Sequence, residues 1–126
     1  MSKVLYYRIM YLDDNDFQGD RLVLPNNIQN EKNVVVMLQT SWCPHCTNAK
    51  PAFQEFAEKY QNQIICATIQ SDGDTEAEKK LGKRIEQIVP GFQGYPDYCL
   101  FIKGKRDASK KIKSRDIQGL IEFANL

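Results

Sequence analysis

A cysteine pair placed where a buried strand gives way to a helix constrains this chain more than any other feature. Val34, Val35, Val36, Met37 and Leu38 form an unbroken apolar run, the pattern of a strand buried on both faces. Beyond Cys43-Pro44-His45-Cys46, the residues Ala49, Ala52, Phe53, Phe56, Ala57 and Tyr60 recur at helical spacing, marking one apolar face. Cys43 and Cys46 therefore fall at a strand-to-helix junction.

That junction has chemical consequences. The first N–H groups of a helix lack intrahelical partners, and the macrodipole adds partial positive charge there. A cysteine at such a point is favoured as thiolate, the reactive form, and Cys-x-x-Cys cysteines in general ionise at roughly pH 3.5 to 7.5 instead of ~8.5. Pro44 suits the first helical turn, because its missing donor would go unsatisfied and its φ is preset. Two intervening residues keep the Cys46 sulfur within reach of a bond made by Cys43. The expected device is a dithiol that exchanges disulfides.

Other chemistries fit less well. A zinc site wants four ligands, usually as two spaced pairs. His45 is the only histidine, and Cys66 and Cys99 stand apart inside apolar runs. Papain-like catalysis needs a base from elsewhere in the chain, and there is no second histidine to supply it.

At 126 residues the chain is expected to form a single domain, 1–126, large enough to bury a core without staples. A net charge of +1 gives no reason to expect nucleic acid or an anionic membrane as partner. No apolar run approaches the ~20 residues of a membrane span. Arg8 interrupts the place where a signal peptide's apolar region would continue. Four cysteines without a secretion signal favour free thiols in a reducing compartment, so the expected location is the cytoplasm.

In chain order, residues 4–12 read as a first strand, and Asp13-Asp14-Asn15-Asp16 starts a short helix anchored by Phe17. Pro25-Asn26-Asn27 marks a turn. Pro51 falls inside the helix that begins at the cysteines and should kink it. Residues 64–69 form another strand. Thr75 and Glu78 have capping-box spacing, and Ala77, Leu81, Ile85 and Ile88 supply the stripe of a helix ended by Pro90-Gly91. After Tyr95-Pro96, residues 98–102 form a strand, Lys103-Gly104-Lys105 a turn, and residues near 106–112 a lysine-rich edge strand. Ser114 is expected to cap a last helix whose core residues are Ile117, Leu120, Ile121 and Ala124. This order predicts an α/β fold with a central mixed sheet flanked by helices on both faces.

Taken together, these features resemble the thioredoxin family over essentially the whole chain. Trp42-Cys43-Pro44-His45-Cys46 resembles its Trp-Cys-x-x-Cys site, Pro51 its helix-kinking proline, and Tyr95-Pro96 its cis-proline loop. The resemblance implies a thioredoxin fold and a thiol–disulfide oxidoreductase, with no cofactor and no metal. Cys43 would be the exposed nucleophile that forms a mixed disulfide and Cys46 the more buried resolving thiol, the pair closing as a redox-active disulfide. Pro96, cis in the family, would lie against Cys43 and leave the Tyr95 backbone to pair with an extended substrate. Trp42 would be an apolar contact surface, with a core role as the alternative. Expected partners are proteins carrying disulfides or thiols, and a recycling reductase or glutathione; the chain is expected to be a monomer.

Departures from the family pattern matter too. Where thioredoxins place a buried Asp and related isomerases a Glu, thought to relay protons to the resolving thiol, this chain has Met37, and the neighbouring lysine is replaced by Thr68. Cys46 would then lose its proton to water or to a substrate group. The chain is also longer before the active-site strand and between Asp72 and Pro96, where Phe92-Gln93 can reshape the substrate surface. His45 would stabilise the Cys43 thiolate and make the pair more oxidising. The sequence thus favours a thioredoxin-like reductase, with a disulfide oxidase or isomerase and a thioredoxin-fold binding module as alternatives. Cys66 and Cys99 read as small core residues, and the basic run across 103–115 as a solvated edge.

Overall fold

The side chains of one central strand divide the interior into two layers. In the computed structural model, which describes residues 8–126, strand β4 (Val34–Gln39) is buried along its whole length. Because successive side chains point to opposite faces, Val35 and Met37 join one apolar cluster while Val34, Val36 and Leu38 join the other. That double burial is the reason the run contains no polar alternation.

Around β4 the sheet runs β1 (Ile9–Tyr11), β5 (Ile65–Gln70), β4, β6 (Asp97–Ile102) and β7 (Lys105–Arg106). The pairs β1–β5 and β4–β5 are parallel, whereas β6 is antiparallel to β4 and to β7. On one face lie α1 (Pro44–Lys59) and α4 (Ile117–Phe123), which bring Phe53, Phe56, Leu120 and Phe123 onto Val35, Met37 and Leu100. The other face carries α2 (Glu76–Lys83) and α3 (Ile85–Ile88), with Leu81, Ile85 and Ile88 over Val36, Leu38, Ile69 and Phe101. Each large side chain so buried contributes roughly 1.5–3 kcal/mol. The expected mixed sheet with helices on both faces is the one observed.

Several local expectations are corrected. Asp14–Asp16 is a single 3-10 turn, capped by Asp13, and Phe17 begins no helix. It opens a small hairpin, β2 (Phe17–Gln18) with β3 (Arg21–Leu22), that inserts Phe17 and Leu22 into the second core layer. Tertiary burial of Phe17, edge-on to Phe101 with ring centroids 6.0 Å apart, decides that outcome. Of the expected first strand, residues 9–11 are in the sheet, and residues 4–7 lie outside the described residues.

The helix expected over the Leu81–Ile88 stripe is interrupted at Arg84, which leaves helical geometry at φ −115° and ψ 29°. Its guanidinium binds the Asp14 carboxylate and donates to the Gly19 carbonyl at 2.7 Å, tying the early hairpin to this face. The edge strand expected over 106–112 ends at Arg106, because Asp107 caps a turn by accepting from Ser109. The cap of α4 is Asp116 and not Ser114: Asp116 accepts from the Gly119 N–H at 2.8 Å, and the Ser114 hydroxyl donates to the same carboxylate. The Thr75–Glu78 capping box forms as expected.

Candidate active site

From the end of β4 the chain passes through Thr40, Ser41 and Trp42 before α1 begins. Asp72, just beyond β5, fixes this short approach. Its carboxylate accepts the Ser41 N–H at 3.0 Å and also the Ser41 hydroxyl. Burial would raise the Asp72 pKa, but these Ser41 bonds outweigh it and hold the carboxyl below its usual range. Two strand ends are thereby clipped together beneath the cysteines.

Cys43 is the N-cap of α1, in extended geometry at φ −89° and ψ 112°, with Pro44 in the first helical turn. Its sulfur occupies the place where a capping oxygen usually sits, accepting the Cys46 backbone N–H at 3.1 Å. On its other side, the Cys43 thiol donates to the Tyr95 carbonyl at 3.7 Å. The peptide bond between Tyr95 and Pro96 is cis, as the sequence resemblance implies. Cys43 and Tyr95, far apart in sequence, are thus facing neighbours.

The expected exposure of Cys43 is corrected. It is only 4% exposed and Cys46 is fully buried, and both pack in the α1-side core with Tyr95 against them. Turning the Cys43 thiol toward the Tyr95 carbonyl and the helix N-terminus draws it inward. His45 and Pro44 are exposed on the rim, and Pro96 is buried. Trp42 is 69% exposed, which removes the core alternative. Its ring stands edge-on to Tyr95 with centroids 6.2 Å apart, and Phe92 packs on Tyr95 at 4.8 Å. The Tyr95 hydroxyl is in turn bonded to Ser71 Oγ at 2.5 Å. The longer segment before Pro96 therefore adds an aromatic platform beside the cysteines.

Burial pushes the Cys46 thiol up to about 11; its contact with Cys43 adds to the rise, and Lys50 opposes it. Beneath the cysteines, Met37 and Thr68 are fully buried cross-strand partners, the placement the family resemblance implies. The Thr68 hydroxyl donates to the Met37 carbonyl at 2.8 Å and accepts from Gln39 Nε2 at 3.2 Å. Neither position carries a charge. Cys66 and Cys99 are core residues, and burial pushes both thiols up to about 12. Among the described residues, no group of three or more His, Cys, Asp or Glu side chains comes together to hold a metal.

Sequence reasoning missed Lys50, a lysine only 5% exposed that interacts electrostatically with Cys46, Asp72 and Cys43. The available signal was its position four residues after Cys46, which places it on the cysteine side of α1. Nothing local in the sequence connects Asp72 to Ser41.

Comparisons with known proteins agree with this geometry. The family model described as Thioredoxin matches residues 23–125. The chain is 34% identical over 126 residues to thioredoxin-like protein 453L of Invertebrate iridescent virus 6, covering 91% of each. A protein disulfide-isomerase of Saccharomyces cerevisiae is 32% identical over 94 residues, spanning 74% of this chain and 16% of that protein. Among solved structures, thioredoxin f from spinach chloroplast (short form) superimposes with a TM-score of 0.64 at 16% identity, over 98% of this chain and 96% of that one. A cysteine-capped helix facing a cis-proline loop, on a sheet of this order and with these relatives, has one reading: the chain belongs to the thioredoxin family of thiol–disulfide oxidoreductases.

Proposed function

We propose that the chain reduces disulfides in other proteins through Cys43 and Cys46. The observation that carries the exchange chemistry is the geometry of the pair: Cys43 Sγ caps α1 with the Cys46 N–H on it at 3.1 Å and faces the cis-proline loop, so Cys46 is placed to resolve a bond made by Cys43. The Cys43 thiolate attacks a substrate disulfide, forming a mixed disulfide and releasing one substrate sulfur as thiolate, which takes a proton from water. Cys46, deprotonated, then attacks Cys43 Sγ. The mixed disulfide breaks, the second substrate sulfur leaves and is protonated, and the electron pair has passed from the dithiol to the substrate. A Cys43–Cys46 disulfide remains, to be reduced by a recycling reductase or by glutathione.

Substrate binding uses the surface around Cys43. Once Cys43 is in a mixed disulfide it has no thiol proton, so the Tyr95 carbonyl loses its donor and is free for an N–H of an extended substrate segment. Trp42 offers the apolar contact, and its 69% exposure supports that use.

One observation favours the opposite direction. His45 is exposed beside Cys43 in the first turn of α1, where an imidazolium would stabilise the thiolate and raise the potential. The similarity to a yeast protein disulfide-isomerase supports this second reading, oxidation or isomerisation of protein disulfides. The test is the reduction potential of the pair, equilibrated against glutathione. A value near about −270 mV supports the reductase, whereas one above roughly −200 mV overturns it in favour of the oxidase or isomerase.

A further inference from the structure

We propose that Lys50 is the positioning residue for Cys46, its buried ammonium stabilising the Cys46 thiolate as it attacks the mixed disulfide. The proposal rests on the exchange reaction above and names the group that serves its second step.

Lysine is almost never buried without a partner. Lys50 is 5% exposed in the middle of α1, and among the described residues it joins no carboxylate in an ion pair. What surrounds it instead is the reaction site. Three groups interact with its charge, namely Cys46, Asp72 and Cys43. Asp72 is already occupied by the Ser41 N–H and hydroxyl. Cys43 is bonded to substrate in the mixed disulfide and carries no charge there. That leaves Cys46, one helical turn before Lys50, as the anion that develops during resolution.

The other side chains of the pocket supply no second positive charge. From the sheet, Met37 and Thr68 are buried and uncharged. Tyr98 of β6 is the other titratable group facing Cys46. It is buried, its hydroxyl has no hydrogen-bond partner among the described residues, and burial raises its pKa. Asp97 and Arg115 act on Tyr98. His45 lies on the exposed rim of the same turn as the cysteines. Burial opposes Cys46 ionisation most; a backbone hydrogen bond from Thr40 favours it, and Lys50 is the one charged side chain that adds to that.

Proton and electron bookkeeping is simple. Cys46 gives its proton to solvent, its sulfur pair forms the bond to Cys43 Sγ, and the substrate sulfur leaves with the pair from the broken bond and is protonated. Burial pushes the Lys50 pKa down and the charges of Cys46, Asp72 and Cys43 oppose that; Lys50 itself forms no bond and transfers no proton in this step. An ammonium that lowers the Cys46 midpoint by about one pH unit gives about ten times more thiolate at neutral pH. Intrinsic nucleophilicity falls with basicity, so the net gain in rate is about threefold.

The alternative is a purely structural lysine whose stem fills space while its head reaches water. Titration of Cys46 separates the two. In a Cys43→Ser background, where one thiol of the pair remains, the Cys46 13Cβ shift is followed with pH in the parent, in Lys50→Met and in Lys50→Gln. The expected result is an upward move of the midpoint by about one pH unit in both neutral variants, with Lys50→Arg holding the parental value. In the protein retaining both cysteines, resolution of a mixed disulfide at pH 7 slows about threefold in Lys50→Met and recovers at alkaline pH. Coincident Cys46 titrations in the parent and both neutral variants overturn the assignment. Failure of the parental protein to form any mixed disulfide, with the titration shift present, refutes the exchange reaction and leaves the Lys50–Cys46 coupling standing.

Discussion

The Cys46 backbone N–H donates to Cys43 Sγ at 3.1 Å, so the two sulfur-bearing residues are coupled through the helix itself before any disulfide forms. Cys43 is the N-cap and keeps 4% exposure, whereas Cys46 is fully buried behind it. On the proposed order of attack, Cys43 first and Cys46 second, Cys43→Ser reduces exchange to background, whereas Cys46→Ser accumulates substrate on Cys43. Mass spectrometry of the trapped adduct checks this, and an adduct carried by Cys46 in the Cys43→Ser protein at wild-type rate would contradict it.

The oxidising reading proposed above turns on His45. Replacing it with alanine removes an exposed imidazole from the first turn of α1 and should lower the reduction potential by roughly 30 mV, which is about 1.4 kcal/mol for two electrons. Glutathione equilibration of His45→Ala measures the change. An unaltered potential means that His45 does not act on the dithiol.

Trp42 is 69% exposed and stands edge-on to Tyr95. Trp42→Ala should leave stability within about 0.5 kcal/mol, yet raise KM for a protein substrate several-fold. Thermal melts and kinetics on a protein disulfide and on a small disulfide distinguish the two effects. Equal losses on both substrates would count against a contact surface.

The buried thiols give stability a predictable pH dependence. Cys66 and Cys99 have folded values pushed up to about 12 by burial, above the ~8.5 of an unfolded cysteine. The unfolded chain therefore loses these protons first. Their contribution is fully present below ~pH 8.5 and is lost as pH rises toward 12. Denaturant melts between pH 8 and 10 should show stability falling, with a shallower slope in Cys66→Ala. In the native protein at neutral pH, iodoacetamide should leave Cys66 and Cys99 unmodified until denaturant is added.

Gly82 lets α2 lie against the strand end that supports Tyr95. A Cβ there would stand 2.4 Å from the Ser71 carbonyl oxygen, and Ser71 Oγ is bonded to the Tyr95 hydroxyl. Gly82→Ala should cost about 1–3 kcal/mol by forced backbone displacement. It should also weaken substrate binding at Tyr95, and melts with KM measurements report both. A variant as stable as the parent would mean that α2 shifts freely.

The strand-to-helix junction at the cysteines was legible in the sequence because its signals are local. An apolar run ends, a helical period begins, and Pro44 marks the first turn, which is enough to place Cys43, Cys46, His45 and Trp42. The mixed sheet followed from the same patterns. Elements whose form depends on distant partners were misread. Phe17 is in a hairpin because Phe101 buries it, and Arg84 breaks a helix because Asp14 and Gly19 hold its guanidinium.

For the site the division is the same. The sequence alone determined which residues carry the chemistry and that they sit at a helix start, since spacing along the chain is enough to define a helix N-terminus. Only the tertiary structure decided that Cys43 is turned inward onto the Tyr95 carbonyl, that Asp72 clips Ser41, and that Lys50 lies among the cysteines with Met37 and Thr68 uncharged beneath them. Burial and electrostatic neighbourhood are set by residues that meet through the folding of the sheet; local spacing gives the side of α1 on which Lys50 lies, but not its burial.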